Sequence, residues 1–173
     1  MTDASELWLY QDGVNRADWP GANHWEQNSG KVIHGDEDES GNTIWRARWT
    51  DVDGGGNLFI QSSQGRKWDL RNFRETGHLE LKLKVEALGD TTALYVKVDS
   101  EYPARGAVNI FDQLQIGQWV TIRIPIQDFV DHPEEAPLDL GSVWTPFIIE
   151  PNWAASGLDL KLDDIRWIRD DAP

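Results

Sequence analysis

The stretch Leu79-Glu80-Leu81-Lys82-Leu83-Lys84-Val85-Glu86 alternates strictly between apolar and charged side chains, and it decides the fold class. Successive side chains of a β-strand point to opposite faces of a sheet, so this pattern predicts a strand with one face in the core and one in water. The same alternation recurs at residues 94–99 and 120–125. The sequence therefore indicates a chain built from strands that are each buried on one side.

Shorter runs of the same kind predict strands along most of the chain, with Gly, Asn, Asp and Pro in the gaps. These runs lie at residues 7–10, 31–34, 43–50, 57–62, 107–111, 143–149 and 158–168. Only residues 127–131 have the character of a helical turn. About ten one-sided strands with short turns predict an all-β fold, an antiparallel β-sandwich of the jelly-roll type. We expect a single domain over residues 1–173.

Composition excludes several classes of function. The chain has 30 acidic and 16 basic side chains, a net charge of −14, whereas a nucleic-acid-binding face needs clustered cations. The absence of cysteine excludes disulfides, thiolate catalysis and thiolate metal sites. No apolar run approaches the roughly 18 residues that a membrane span needs. The expected partners are therefore neutral or cationic, with neither nucleic acid nor a membrane among them.

Ten residues are tryptophan, which is more than the packing of a core of this size is expected to need. An indole is a flat apolar plate with one N–H donor, and it suits surfaces that are apolar and wet at once, as the faces of sugars are. Trp119 and Trp167 lie in apolar strands and are expected in the core. The aromatic candidates for sugar contact, which lie in or near loops, are Trp68, Trp144, Trp153 and Tyr102.

Two strands add polar candidates for a sugar-binding groove. Arg46 and Arg48 share one face of their strand, and Tyr95 and Lys97 share the polar face of another. A groove with these side chains on its floor and tryptophan at its rim would suit a sugar chain. An equally good interpretation is that Arg46, Arg48 and Lys97 form surface ion pairs with the many acidic residues.

Acidic residues at two places suggest a structural calcium ion. The stretch from Asp36 to Gly41 begins like an EF-hand loop, but Ala47 stands where that loop needs its glutamate, which excludes an EF-hand. A sandwich-type calcium site at Asp36 and a solvated acidic hairpin both remain open. In the last predicted strand, Asp163 and Asp164 place one carboxylate on each face, and an inward carboxylate must be paired or metal-bound. The candidate metal ligands are Asp12, Asp36, Asp163 and Asp164.

The sequence offers little support for catalysis. Glycosidases use two carboxylates about 5–10 Å apart across a cleft, and nothing here singles out such a pair. The four histidines are scattered without metal-ligand spacing, and neither a nucleophile elbow nor a phosphate loop is present. We therefore expect a protein that is not an enzyme, with a small jelly-roll hydrolase as the weakest alternative.

Five motifs follow one another in a recognisable order, at residues 68–73, 79–85, 117–129, 140–149 and 160–167. They include Gly117-Gln-Trp-Val-Thr-Ile-Arg-Ile-Pro125 and Leu162-Asp-Asp-Ile165. This order resembles the C-terminal β-sandwich domain of family 3 glycoside hydrolases of the exo-β-1,3/1,4-glucanase (ExoP) type. More broadly, it resembles galactose-binding-like carbohydrate-binding modules.

The resemblance implies a non-catalytic module that recognises a neutral polysaccharide, a β-glucan, as part of a polysaccharide-degrading enzyme. The alternative it leaves open is a structural accessory domain of a glycoside hydrolase that binds no sugar. It also implies that Trp119 packs in the core, that Phe147 fills the sandwich, and that calcium at Asp163 or Asp164 ties the first strand to the last.

The expected location is secreted or periplasmic, within a larger protein that carries a covalently linked catalytic domain. The first residues, Met-Thr-Asp-Ala-Ser-Glu, have neither the basic start nor the apolar run of a signal peptide. From these residues alone, a cytoplasmic protein and a domain cut from a larger secreted chain are both consistent.

Overall fold

The computed structural model describes residues 4–15, 22–26, 31–62 and 65–170, which form two antiparallel sheets and one short helix. The strands are β1 (Glu6–Gln11), β2 (Val14–Asn15), β3 (Ala22–Glu26), β4 (Val32–Glu39), β5 (Asn42–Trp49), β6 (Gly56–Ile60), β7 (Gly77–Ala87), β8 (Leu94–Glu101), β9 (Ala104–Asn109), β10 (Trp119–Pro125), β11 (Thr145–Pro151) and β12 (Leu158–Arg169). The helix α1 (Ile126–Asp131) coincides with the predicted helical turn. No helix in the described part of the chain is long and apolar enough to cross a membrane.

The two sheets pack face to face. The seven-stranded sheet has the order β10-β7-β12-β1-β2, with β5 also paired to β12 and β4 paired to β5. The five-stranded sheet has the order β3-β6-β11-β8-β9. The first strand pairs with the last, with Glu6 opposite Ile168 and Trp8 opposite Arg166.

The core lies between the sheets and follows the alternation in the sequence. The apolar members of β7, which are Leu79, Leu81, Leu83 and Val85, are fully buried, while their charged neighbours face away from the core. Each such side chain contributes roughly 2 kcal/mol on burial. The predicted all-β fold, an antiparallel sandwich, is confirmed.

The acidic stretch after Asp36 is part of a strand. Residues from Asp36 to Glu39 continue β4, and a turn at Ser40 and Gly41, both with positive φ, leads directly into β5. The acidic side chains are tolerated there because β4 pairs with β5 along its whole length and leaves them in water or beside cations. The strand β3 was not predicted from the sequence.

Trp119 was predicted in the core, and this prediction is wrong. The inward residues of β10 include Ile122 and Ile124, so the period of two turns Trp119 outward. Its side chain is 38% exposed on the outer face of the seven-stranded sheet, with its main chain opposite Lys84. Trp167, by contrast, is fully buried as predicted, and its ring N–H donates to the carbonyl of Pro146 at 3.0 Å.

Candidate functional site

A groove of about 480 Å³ lies on the outer face of the five-stranded sheet. Its lining comes from alternate positions of neighbouring strands, whose intervening residues, such as Leu58 and Val98, are buried in the core. The lining residues are Asn57, Phe59 and Gln61 on and after β6, Thr145, Ile148 and Glu150 on β11, and Asp99, Tyr102 and Arg105 from β8, β9 and their connection.

Three apolar surfaces line this groove. Phe59 is half-buried and lies opposite Ile148, which is buried on the outer side of the sheet, away from the core cluster. Tyr102 lies in the turn between β8 and β9 and is 62% exposed. The guanidinium of Arg105 is 4.9 Å from the centroid of the Tyr102 ring. The hydroxyl of Tyr102 donates to Glu135 at 2.9 Å, and this bond raises the pKa of the tyrosine.

A buried ion pair forms the polar floor at one end of the groove. The Arg105 Nε lies 2.9 Å from Asp99 Oδ1, and Arg105 Nη2 donates to Asp99 Oδ2 at 3.1 Å. Burial raises the pKa of Asp99, although the positive charge of Arg105 opposes the shift. Burial lowers the pKa of Arg105, but the negative charges of Asp99 and Glu134 outweigh it and leave that pKa raised. The two side chains therefore hold each other in fixed positions.

Lys97 lies next to Asp99 on the same face of β8 and is only 4% exposed. Its Nζ lies 2.7 Å from Glu134 Oε1 and 2.8 Å from Glu150 Oε2. Burial raises the pKa of Glu134, but the hydrogen bond and charge of Lys97, together with Arg105, outweigh it and leave the pKa lowered. One ion network thus joins β8, β9, β11 and the segment after α1.

The segment after α1 reaches this network because β9 has a glycine, Gly106, where β9 packs against α1 and this segment. A Cβ at Gly106 would lie 1.9 Å from the carbonyl oxygen of Phe129, so no larger residue fits without displacing the helix. The main chain of Gly106 forms a bridge with Pro133, and Glu134 follows directly. The close approach therefore places Glu134 between Lys97 and Arg105.

The structure separates the strand candidates onto different sheets. Tyr95 and Lys97 lie on the five-stranded sheet, whereas Arg46 and Arg48 lie on the seven-stranded one. Arg46 Nη2 lies 2.7 Å from Asp159, and its Nη1 lies 2.8 Å from Glu37. The hydrogen bonds to both acids raise the pKa of Arg46. The predicted groove that would combine these arginines with Tyr95 and Lys97 is therefore not formed.

Arg48 is exposed on β5, between Ile33 of β4 and Asp159 of β12. It lines a small depression of about 150 Å³ together with Arg46, Ile33 and His34. Its neighbour Arg46 forms ion pairs with Asp159 and Glu37, as the alternative interpretation predicts.

The loop tryptophans do not line the groove. Trp68 is half-buried against the core, with the guanidinium of Arg66 3.9 Å from its ring centroid. Trp144 is half-buried, and its enclosed ring N–H has no acceptor among the described residues. Trp153 is exposed in the connection between β11 and β12. Of the aromatic candidates, only Tyr102 belongs to the groove.

Most groove residues were missed by the sequence analysis. Those missed are Asn57, Phe59, Gln61, Asp99, Arg105, Thr145, Ile148 and Glu150. The signal for Phe59 was present, because it alternates with the buried Leu58 and Ile60. Asp99 likewise follows Tyr95 and Lys97 on one face of β8.

The carboxylate of Asp163 is buried, and both of its oxygens accept hydrogen bonds. Its Oδ1 accepts from the main-chain N–H of Asp12 at 3.1 Å, and its Oδ2 accepts from the side-chain amide of Asn42 at 3.0 Å. Asp12 thus lies beside Asp163, but it contributes a main-chain donor rather than a carboxylate ligand. Asp164 is paired with Lys82 at 2.6 Å.

Asp36 has a similar role on β4, where it accepts a hydrogen bond from the hydroxyl of the buried Tyr10 at 2.9 Å. Burial of the phenol, followed by this bond, raises the pKa of Tyr10. No group of three or more histidine or carboxylate side chains that could hold a metal ion is present among the described residues. Because hydrogen bonds or an ion pair already engage Asp36, Asp163 and Asp164, we expect no calcium ion at these carboxylates, since that ion needs six to eight oxygen ligands.

We expect an excess of chelator to leave the melting temperature of the protein unchanged. The reason is that hydrogen bonds and an ammonium group already satisfy Asp163 and Asp164. Differential scanning calorimetry with EDTA and with added calcium is the measurement. A fall in melting temperature with chelator, reversed by calcium, would show that an ion binds the native state.

Several solved structures with the same fold are carbohydrate-binding modules or a domain of a glucanase. A family 30 carbohydrate-binding module of a cellulosomal cellulase of Clostridium thermocellum is 17% identical, with a TM-score of 0.71, and the match covers 96% of this chain and 99% of that one. A family 11 module from Clostridium thermocellum, in complex with a β-1,3-1,4-mixed-linked tetrasaccharide, is also 17% identical, with a TM-score of 0.61 and coverage of 97% and 98%.

The extra C-terminal domain of the exo-1,3/1,4-β-glucanase ExoP from a Pseudoalteromonas species is 13% identical, with a TM-score of 0.67 and coverage of 96% and 95%. At these identities the likeness concerns the fold. No curated protein matches the chain in sequence. The sequence model of one family, however, matches residues 13–167, which is most of the chain. The chain therefore belongs to the Exop_C family of galactose-binding domain-like domains.

Proposed function

We propose that the chain is a non-catalytic carbohydrate-binding module that holds a neutral β-glucan in the groove of the five-stranded sheet. The observation that carries the proposal is the mixed lining of this groove. Phe59 and Ile148 offer apolar surface, and Asn57, Gln61 and Thr145 offer amide and hydroxyl groups within the same space. A pyranose ring presents the matching combination, C–H faces that stack on aromatic side chains and hydroxyls that take hydrogen bonds.

The ion network beneath the groove favours a neutral ligand. Asp99 and Arg105 are held together, and Lys97 is shared by Glu134 and Glu150, so their charges are largely balanced within the protein. These side chains are fixed before a ligand arrives, which lowers the entropic cost of binding. The net charge of −14 disfavours an anionic polysaccharide.

The same network supports a non-catalytic role. The two carboxylates that line the groove are both in ion pairs, Asp99 with Arg105 and Glu150 with Lys97. A glycosidase needs one carboxyl group that donates a proton and a second that acts as nucleophile or base. Because each groove carboxylate already has its cation, binding of the sugar is the function that this arrangement supports.

The relatives of the fold agree with this class of ligand. One family 11 module was solved with a β-1,3-1,4-mixed-linked tetrasaccharide, and the ExoP domain is part of an exo-1,3/1,4-β-glucanase. On this ground we propose that the chain serves a polysaccharide-degrading enzyme, linked to a catalytic domain, in a secreted or periplasmic location.

The test is affinity gel electrophoresis in mixed-linkage β-glucan and in laminarin. We expect one of these polymers to retard the wild-type protein. Phe59→Ala should weaken binding about tenfold or more, because it removes the half-buried aromatic surface of the groove. The matched control is Trp119→Ala, since Trp119 lies on the outer face of the other sheet.

Absence of retardation with every neutral polymer would contradict the proposal and favour a structural accessory domain that binds no sugar. Release of reducing ends from the glucan would instead favour a hydrolase. Equal binding by the wild type and Phe59→Ala would place the sugar elsewhere on the molecule.

A further inference from the structure

Trp153 is a large apolar side chain that is 65% exposed, in the connection between β11 and β12. It belongs neither to the core cluster nor to the lining of the groove. The three tryptophans that are fully buried, Trp45, Trp49 and Trp167, show that this fold can enclose an indole where packing requires one.

The main chain around Trp153 is firmly anchored on both sides. The N–H of Asn152 donates to the carbonyl of Ala93 at 3.0 Å, and its side-chain oxygen accepts from the N–H groups of Thr92 at 2.7 Å and Ala93 at 3.2 Å. On the other side, the N–H of Ala154 donates to the carbonyl of Gly54 at 2.9 Å. The indole is therefore carried by a fixed turn.

These anchors place the turn at one end of the strands that carry the groove. The strand β11 lies at the centre of the five-stranded sheet, between β6 and β8. Gly54 precedes β6, and Thr92 and Ala93 precede β8, so the turn spans the end of these three strands. Glu150, the last groove residue on β11, stands three positions before Trp153. Trp153 is thus presented at the end of the sheet, beyond the end of the groove.

We propose that Trp153 is a second stacking platform, which binds the part of a β-glucan chain that extends past the groove. This inference rests on the proposed function. An exposed indole has favourable stacking surface for a sugar face, and its fixed main chain means that little further ordering is needed on binding. The platform adds affinity only for a ligand long enough to reach from the groove to the turn.

The test is isothermal titration calorimetry with mixed-linkage β-glucan oligosaccharides of increasing length, from disaccharide to hexasaccharide. For the wild type we expect affinity to keep rising to the longest members. Trp153→Ala should bind the shortest ligands as the wild type does and the longest about three- to tenfold more weakly. Trp153→Phe should keep much of the gain, because a ring that can stack remains.

Two further variants separate this inference from the proposed function. Phe59→Ala should weaken the binding of every oligosaccharide, and Trp119→Ala, the exposed tryptophan of the other sheet, should weaken none. If Phe59→Ala weakens the hexasaccharide while Trp153→Ala binds it as tightly as the wild type, the platform is overturned and the groove stands. If the wild type binds no member of the series, the proposed function fails and this inference with it.

Discussion

Replacing Lys97 with methionine is expected to lower the free energy of unfolding by about 3 kcal/mol. Methionine can fill the space of the lysine stem, so the cost comes from the charge that is removed. The Lys97 ammonium lies 2.7 Å from Glu134 and 2.8 Å from Glu150. Glu134 keeps Arg105 as a partner, but the largely buried Glu150 loses the cation that it contacts. A carboxylate left alone in such a place is strongly destabilising.

Urea unfolding followed by tryptophan fluorescence measures this effect. The double variant Lys97→Met with Glu150→Gln should recover part of the loss, because the amide carries no charge. The matched control is Lys67→Met, whose partner Glu101 is exposed and whose loss should cost less than about 1 kcal/mol. Equal losses for the buried and the exposed lysine would show that the network under the groove has no special contribution to stability.

Replacing Trp49 with alanine is expected to cost about 4 kcal/mol, the largest effect that we predict. Trp49 is fully buried at the end of β5, and its ring N–H donates to the carbonyl of Gly56 at 3.0 Å. Gly56 begins β6, a strand of the groove sheet, so this indole joins the two sheets. Alanine would remove both the packing and the bond.

Trp49→Phe separates these two contributions. It keeps an aromatic ring but leaves the Gly56 carbonyl without its donor, so we expect a loss of about 2 kcal/mol. Trp119→Ala, which removes an exposed indole, is the matched control and should change stability by about 0.5 kcal/mol or less. A Trp49→Ala variant as stable as this control would contradict the role of Trp49 as the link between the sheets.

The sequence predicted the sandwich because strand alternation is a local property. The positions of Leu79 and Val85 in the alternation identify the buried face of β7, and no information about the neighbouring strands is needed. The same rule could have corrected Trp119, since its parity on β10 is opposite to that of Ile122. The apolar character of its strand favoured the core for this residue, although the period of two places it outside.

The groove was harder to predict because it depends on which strands become neighbours. Ile148 shows the difficulty, since it lies in the apolar run Phe147-Ile148-Ile149. Such a run fits a strand buried on both faces, and only the pairing of β11 with β6 and β8 shows Ile148 on the outer face beside Phe59. Arg46 and Lys97 are likewise separated by pairing that no local pattern encodes.

The structure shows that Asp163 is the inward carboxylate of the last strand, where the sequence had left Asp163 and Asp164 open. The sequence required that an inward carboxylate be compensated, and it could not distinguish a metal ion from hydrogen-bond donors. The donors come from Asp12 and Asn42, which lie 151 and 121 positions away in the chain.

The pairing of β1 with β12 has a consequence for how this domain can be joined to others. Glu6 lies opposite Ile168, so the polypeptide enters and leaves the fold at neighbouring points of the seven-stranded sheet. The groove occupies the other sheet. Such a unit can be inserted into a surface loop of a host protein, or its two ends can be joined by a short tether and new ends opened elsewhere, without a linker crossing the face that carries the groove.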